Sequence, residues 1–299
     1  MNIINFGSCN IDYVYTLDHI VKTGETQTSY SLETFAGGKG LNQSVAAARA
    51  GGRVYHAGFI GQDGEFLGEL LAQSGVNLTY IKETSIKNGH AMIQVDKNAK
   101  NCIVLYPGSN ELLTKEYITD VLDNFAKGDL VVLQNEVNLV DFIVEQAHLR
   151  GMAVVLNPSP YNEKIEKIDL NKVSYLLLNE VEGEQLTGEQ DPEKILSFFE
   201  KNYPALTVVL TLGEQGCYCL QKENVFHQPA LLVEAVDTTA AGDTFTGYLV
   251  AGVARGEDLC GAVQTATAAS AIAVTRKGAA PSIPIRDEVE RMINERKGE

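Results

Sequence analysis

Along most of this chain short apolar runs alternate with helix-patterned stretches of about ten residues, and nothing else in the sequence constrains its fold as tightly. Residues 2–7, 54–60, 130–133, 153–156 and 175–178 are short, apolar and rich in β-formers; segments 65–74, 140–150 and 181–186 have a helical apolar face. Strands that are apolar on both sides are buried on both sides, and strands linked through helices run parallel. The pattern predicts an α/β fold: a central, mostly parallel sheet with helices on both faces. At 299 residues the chain is long enough for one such domain with a small appendage.

One region departs from the alternation. Asn88-Gly89 is a hairpin signal, and 90–96 and 102–106 flank a polar turn at 97–100 with no helix between them. Together with 13–16 and 27–35 they are expected to form a small antiparallel sheet projecting from the main domain, a β lid built from about 13–35 and 88–107. An edge extension of the main sheet explains the pattern equally well. The last third is helical and rich in small residues. Phe245, Leu249 and Val253 recur at helical spacing, as do Ala262, Ala266, Ala269 and Ala273, and Val289, Met292 and Ile293 mark a closing amphipathic helix.

Charge and composition exclude several classes. Lys+Arg of 24 against Asp+Glu of 39 leaves a net charge of −15, which repels nucleic acid and anionic lipid. No run approaches the ~20 apolar residues that span a bilayer, and the start reads as a first strand, not a signal peptide. The five cysteines are odd in number and lack zinc spacing, as expected of reduced thiols in a cytoplasmic protein.

The most informative stretch is Asp237-Thr238-Thr239-Ala240-Ala241-Gly242-Asp243-Thr244-Phe245, between a strand-like 231–236 and a helix. Its turn of small residues delivers free N–H groups to a helix N-terminus, a ready anion site, and Gly242 lets backbone come near a phosphate. Asp243 falls in the first turn, placed to take a proton from an attacking hydroxyl. Taken alone, an acidic residue there is better explained as a first-turn residue that complements the helix dipole. The phosphate loop GxxxxGK[ST] and the dinucleotide fingerprint GxGxxG are both absent. A non-catalytic sugar or nucleotide sensor is expected to have lost Gly242 or Asp243, and both are present.

This stretch resembles the C-terminal signature of the ribokinase family, the phosphofructokinase-B-type carbohydrate kinases. The N-terminal signature is matched by Gly37-Gly38-Lys39-Gly40-Leu41-Asn42-Gln43 followed by Ala46-Ala47-Ala48. Asn10-Ile11-Asp12, Gln134-Asn135-Glu136, Leu156-Asn157-Pro158, Asn179-Glu180-Val181-Glu182, 211–216 and 273–282 follow in the family's order, so the likeness covers nearly the whole chain.

The resemblance implies ATP-dependent phosphorylation of a sugar, with D-ribose at its 5-hydroxyl favoured and another sugar or a nucleoside as the alternative. Asp243 is expected as base, with the amides of Ala241, Gly242 and Asp243 as the anion hole. Asn10 and Asp12 are expected to hold sugar hydroxyls, and Gly38, Lys39, Asn42 and Glu136 to line the same pocket. Asn179, Thr211, Gly213, Glu214, Gly216, Gly242 and Thr267 are expected at ATP.

Mg²⁺ is expected near Asn179 and Glu182, held through waters, although Asn-x-x-Glu alone is also a helix-capping pair. Asp237, with carbonyls of Thr239, Ala273, Arg276 and Gly278 near Ser282, matches the family's monovalent-cation site, with K⁺ expected. The family also suggests a homodimer that closes lid on lid through Ile93, Val95, Ile103 and Leu105. Selectivity is expected in the pocket and lid, where His90, Met92, Gln94 and Cys102 are candidates to set it, although simple lid packing accounts for them equally well.

Overall fold

The computed structural model describes residues 1–98 and 100–297. The chain opens with β1 (Asn2–Phe6), turns out through β2 (Asn10–Thr16) and β3 (Ser31–Gly37), and returns in α1 (Lys39–Arg49). β4 (Arg53–Gly61), α2 (Glu65–Gln73) and β5 (Asn77–Thr84) follow, then the pair β6 (Gly89–Val95) and β7 (Asn101–Tyr106). The alternation resumes with α3 (Lys115–Leu122), β8 (Leu130–Gln134), α4 (Val140–Leu149), β9 (Ala153–Asn157) and β10 (Tyr175–Asn179). After α5 (Glu180–Thr187) and α6 (Pro192–Asn202) come β11 (Thr207–Thr211), β12 (Cys217–Gln221) and β13 (Asn224–Gln228). Three helices close the chain: α7 (Ala241–Arg255), α8 (Leu259–Val274) and α9 (Arg286–Lys297).

The main sheet runs β13-β12-β11-β10-β9-β8-β1-β4-β5. Every pairing from β5 to β11 is parallel, and β12 and β13 add antiparallel at one edge. Neighbouring residues of one strand enter opposite cores. Ile3 packs under α1, α7 and α8, whereas Ile4 and Phe6 pack under α3, α4 and α6; Val209 and its neighbours Val208 and Leu210 divide in the same way. Each such buried side chain contributes about 1.5–3 kcal/mol, so these alternations hold the register against a one-residue slip.

The second sheet, β3-β2-β6-β7, is separate from the first, so the extra strands are not an edge extension. Its outer pairings are antiparallel and its central pair, β2 with β6, is parallel. Three local expectations need correction. Asn88-Gly89 makes no hairpin. Asn88 is buried at the junction between the two sheets, where its side chain accepts from Gly61 N at 2.9 Å and donates to Cys9 O at 2.8 Å. The hairpin of this region joins β6 to β7, and its turn at 97–100 lies partly outside the described residues. Residues 231–236 form no strand: Pro229 removes a ladder donor after β13, and Leu232 is 82% exposed. Residues 27–30 also stay outside β3.

Candidate active site

The parallel strands end together on one side of the sheet, where open α/β folds bind ligands. Two helix starts meet there. α1 is seated against the end of β1 because Gly40 has no side chain: a β-carbon would lie 2.3 Å from Ser8 N and 2.4 Å from Gly7 Cα. This close seat points Asn42 and Gln43 at the first turn of α7. Asn42 Nδ2 donates to Asp243 Oδ2 and Gln43 Nε2 to Asp243 Oδ1, both at 3.0 Å. Asp243 is only 8% exposed, so two side-chain amides stand in for much of its water.

α7 starts from Ala240, held in the left-handed region at φ 57°. Ala241 N donates to Thr238 O at 3.2 Å, and Thr244 N to Ala240 O at 2.8 Å. The N–H groups of Gly242 and Asp243 fall in the first turn, where no intrahelical acceptor exists. A β-carbon on Gly242 would meet nothing within 4 Å, so the helix start faces open space. That space is a cavity of about 230 Å³ lined by Lys39, Asn157, Asn179, Glu182, Thr211 and Gly242 among others. A larger cleft of about 520 Å³, beside Asn2, Arg53, Asp129 and Arg255, lies at the opposite ends of the strands and holds none of these groups.

On the second side of Asp243 are the residues expected to hold a sugar. Asn10 is buried and accepts from Asn110 Nδ2 at 2.7 Å. Glu136 Oε2 receives the Ser8 hydroxyl and, at 2.9 Å, the N–H of Lys39. Burial pushes the Glu136 carboxyl up; Lys39 and the Ser8 hydrogen bond pull back, and Asp243 adds to the rise. Burial, together with Glu136 and Asp243, pushes Asp12 up to about 7. Burial works against the Lys39 charge, but Asp243, Glu136 and Glu182 outweigh it and hold its ammonium above the ordinary value. One cation thus serves a crowd of carboxylates. Asn42 Oδ1 is buried without a partner, and a sugar hydroxyl is a donor of the right kind for it.

Asn179 and Glu182 do form a reciprocal capping box: Glu182 N donates to Asn179 Oδ1 at 2.9 Å, and Asn179 N to Glu182 Oε2 at 3.1 Å. Capping does not remove them from the site, because both line the cavity. Thr211 lines it too, and the next turn contains Gly213 (φ 54°), the exposed Glu214 and Gly216 (φ 90°), closed by Leu212 N to Gly216 O at 2.8 Å. Thr267, inside α8, donates its hydroxyl to Val263 O at 2.9 Å and stands outside this cavity.

Behind the α7 turn, Asp237 Oδ1 accepts from Thr239 N at 2.9 Å and from its hydroxyl at 2.6 Å, and Oδ2 accepts from Gly278 N at 2.9 Å. Burial opposes the charge, but these donors and Lys277 keep the carboxyl below its usual range. Ala273 O accepts from Arg276 N at 3.0 Å, the Arg276 guanidinium is turned to Glu288, and Ser282 donates to Ala279 O at 2.7 Å. The hydrogen-bond partners of the Asp237 carboxylate are thus backbone N–H groups and a hydroxyl, all donors.

The lid candidates fall differently. Strand alternation and pairing place Asp12 on one face with Ala91, Ile93, Val95, Ile103 and Leu105. His90, Met92, Gln94 and Cys102 occupy the opposite face of this second sheet. Ser8, Gln134, Asn110 and Asn157 carry polar groups into the site that the motifs did not single out by role. Their signal is a polar residue at the end of an apolar strand, as in Leu133-Gln134 and Leu156-Asn157.

A helix start facing open space beside a restrained carboxylate, on the strand-end side of an α/β sheet, is an arrangement suited to a small-molecule phosphotransferase. Residues 2–286 match the model of the pfkB family of carbohydrate kinases, and the chain belongs to that family. It is 37% identical to the ribokinase of Haemophilus influenzae, covering 94% of this chain and 95% of that one. The fold superposes with a TM-score of 0.86 on a ribokinase from Cryptococcus neoformans in complex with ADP, at 34% identity over 97% of this chain and 99% of that one. It superposes with a TM-score of 0.83 on an Arabidopsis thaliana ribokinase complexed with ribose and ATP, at 27% identity over 98% of each.

Proposed function

We propose that this protein transfers the terminal phosphate of ATP to the 5-hydroxyl of D-ribose, giving ribose 5-phosphate and ADP. The observation that carries the reading is Asp243, restrained by Asn42 and Gln43 at a helix start whose Gly242 faces open space. The ribokinases that resemble this chain at 37% and 34% identity support ribose as the acceptor.

Asn10, Asp12, Gly38, Lys39, Asn42 and Glu136 hold the sugar so that its hydroxyl faces Asp243. Asp243 accepts the hydroxyl proton as the oxygen attacks, a contribution of about 10²–10⁴ in rate. The amides of Gly242 and Asp243, joined by Ala241 when its turn bond opens, receive the charge of the transferring group. Lys39, half-buried on the cavity wall, supplies the side-chain positive charge. Thr211, Gly213, Glu214 and Gly216 wrap the nucleotide with Asn179, and Thr267 packs behind it.

An ATP-dependent kinase requires a divalent ion. Asn179 and Glu182, which line the cavity, would hold Mg²⁺ near the phosphates through waters, and the ion would supply neutralisation of phosphate charge. Asp237, with the carbonyls of Thr239, Ala273, Arg276 and Gly278 near Ser282, would hold K⁺, whose charge would help order the α7 turn. The lid face bearing Ile103 and Leu105, 51% and 52% exposed, pairs with the lid of a second copy in a homodimer. Among the described residues no helix is long and apolar enough to cross a membrane, and the five thiols are free, which suits work in the cytoplasm.

The test is ADP release over a panel of sugars and nucleosides, with and without K⁺, and the product's phosphate position read by ³¹P NMR. Ribose with the highest kcat/KM and a 5-phosphate product is expected. A better acceptor of another class overturns the substrate assignment.

A further inference from the structure

We propose that Gln43 is a positioning residue for Asp243, locked in a single amide orientation by a chain of side chains that begins at a backbone carbonyl. The proposal rests on Asp243 being the base. The chain crosses four elements. Gly40 O, at the start of α1, can only accept, so Asn5 of β1 must turn Nδ2 towards it, at 2.8 Å. Asn5 Oδ1 is then an acceptor, and Gln134 of β8 donates to it from Nε2 at 3.2 Å. The same Nε2 donates to Gln43 Oε1 at 2.6 Å. With its oxygen so occupied, Gln43 has Nε2 left to aim at Asp243 Oδ1, at 3.0 Å, and at Asn157 Oδ1, at 3.3 Å.

Three amides are thus polarised in one direction, and the last donor ends on the carboxylate. Burial makes the direction firm, since Gln43, Gln134 and Asn5 are 2%, 1% and 1% exposed and water cannot serve as an alternative partner. Gln134 even leaves its Oε1 buried without a donor, so its orientation follows from what its nitrogen must do. Asn42, the other donor to Asp243, faces the sugar pocket and has a hydroxyl to bind. Gln43 faces the protein and stays on the carboxylate throughout the reaction.

Gln43→Met keeps length and bulk but removes the donor. It is expected to lower kcat about 10- to 100-fold, the factor that losing one hydrogen bond to a charged group carries, with KM for ribose and ATP within about 3-fold. Gln134→Met does not touch Asp243. By freeing the Gln43 amide to rotate, it is expected to lower kcat about 3- to 10-fold with the same unchanged KM values. Thermal unfolding reports whether each variant is folded, and if the first is not, the second decides alone.

Parent-like kcat in a folded variant overturns the proposal, as does a loss that appears in KM, which marks mere packing of the sugar pocket. Asp243→Asn runs alongside. If it retains parent-like turnover the base assignment itself fails; if it is inactive while Gln43→Met is parent-like, only the role of Gln43 falls.

Discussion

Asn42 donates its side-chain amide to the carboxylate of Asp243 at 3.0 Å, across 201 residues of chain. The bond joins the start of α1 to the start of α7, and in the proposed site it sets the sugar side against the phosphate side. Asn42→Ala removes that donor and the unpartnered Oδ1 assigned to a sugar hydroxyl. It is expected to raise KM for ribose and lower kcat together, with kcat/KM falling about 10- to 100-fold while KM for ATP holds. Steady-state kinetics with each substrate varied separately check this.

Gly242 separates stability from activity. Its β-carbon position is open, its φ is not positive, and it sits in the first turn of a helix. Gly242→Ala is therefore expected to leave the melting temperature unchanged or to add up to about 1 kcal/mol, since glycine is the poorer helix former. The new methyl group fills the space assigned to the phosphate, so kcat/KM for ATP is expected to drop by about 10²-fold or more, within the range of losing an oxyanion-hole donor. Calorimetric melting and kinetics on one preparation distinguish the two effects.

Asp12 makes sugar binding depend on pH. Its carboxyl, raised to about 7 by burial and by Glu136 and Asp243, accepts sugar hydroxyls well only when charged. KM for ribose is therefore expected to rise as pH falls from 8 to 6. The sign for stability is the reverse. The folded value lies above the ordinary ~3.9 of an unfolded aspartate, so the contribution is fully present below about pH 4 and is lost as pH rises through 7. Unliganded Asp12→Asn is expected to melt above the parent at pH 8, with the gain shrinking towards pH 5, and to bind ribose poorly at both.

The sequence reveals some of these features and hides others for physical reasons. The parallel sheet was legible because β1, β8, β9 and β10 are buried on both faces and read as apolar runs. β5, at the sheet edge, mixes Thr, Lys and Glu into Asn77–Thr84 and escapes the pattern. Asp191 and Pro192 mark the start of α6 by capping chemistry that periodicity alone overlooks. The place of Gly242 and Asp243 in the first turn of α7 was legible because a helix start is local in sequence. The polarity of Gln43 was not, since it follows from Gln134, 91 residues on, and from Asn5, a further 129 residues back from Gln134. Asn88-Gly89 misled because a turn signal does not tell a hairpin from a junction between sheets.

Asp243→Asn retains the side-chain shape and removes the charge that receives a proton. Turnover is expected to fall by about 10²–10⁴, with ribose and ATP affinities, read by calorimetry, within about 3-fold of the parent. A parallel loss of ribose affinity would move the residue from proton transfer to sugar binding.

The central claim concerns where the phosphoryl group travels, and a crystal structure with ribose and a non-hydrolysable ATP analogue tests it most directly. The terminal phosphate is expected at the start of α7, within hydrogen-bond distance of Gly242 N and Asp243 N, with one ribose hydroxyl between it and the Asp243 carboxylate. A terminal phosphate bound away from that turn, or a ribose whose hydroxyls all face away from Asp243, would contradict it.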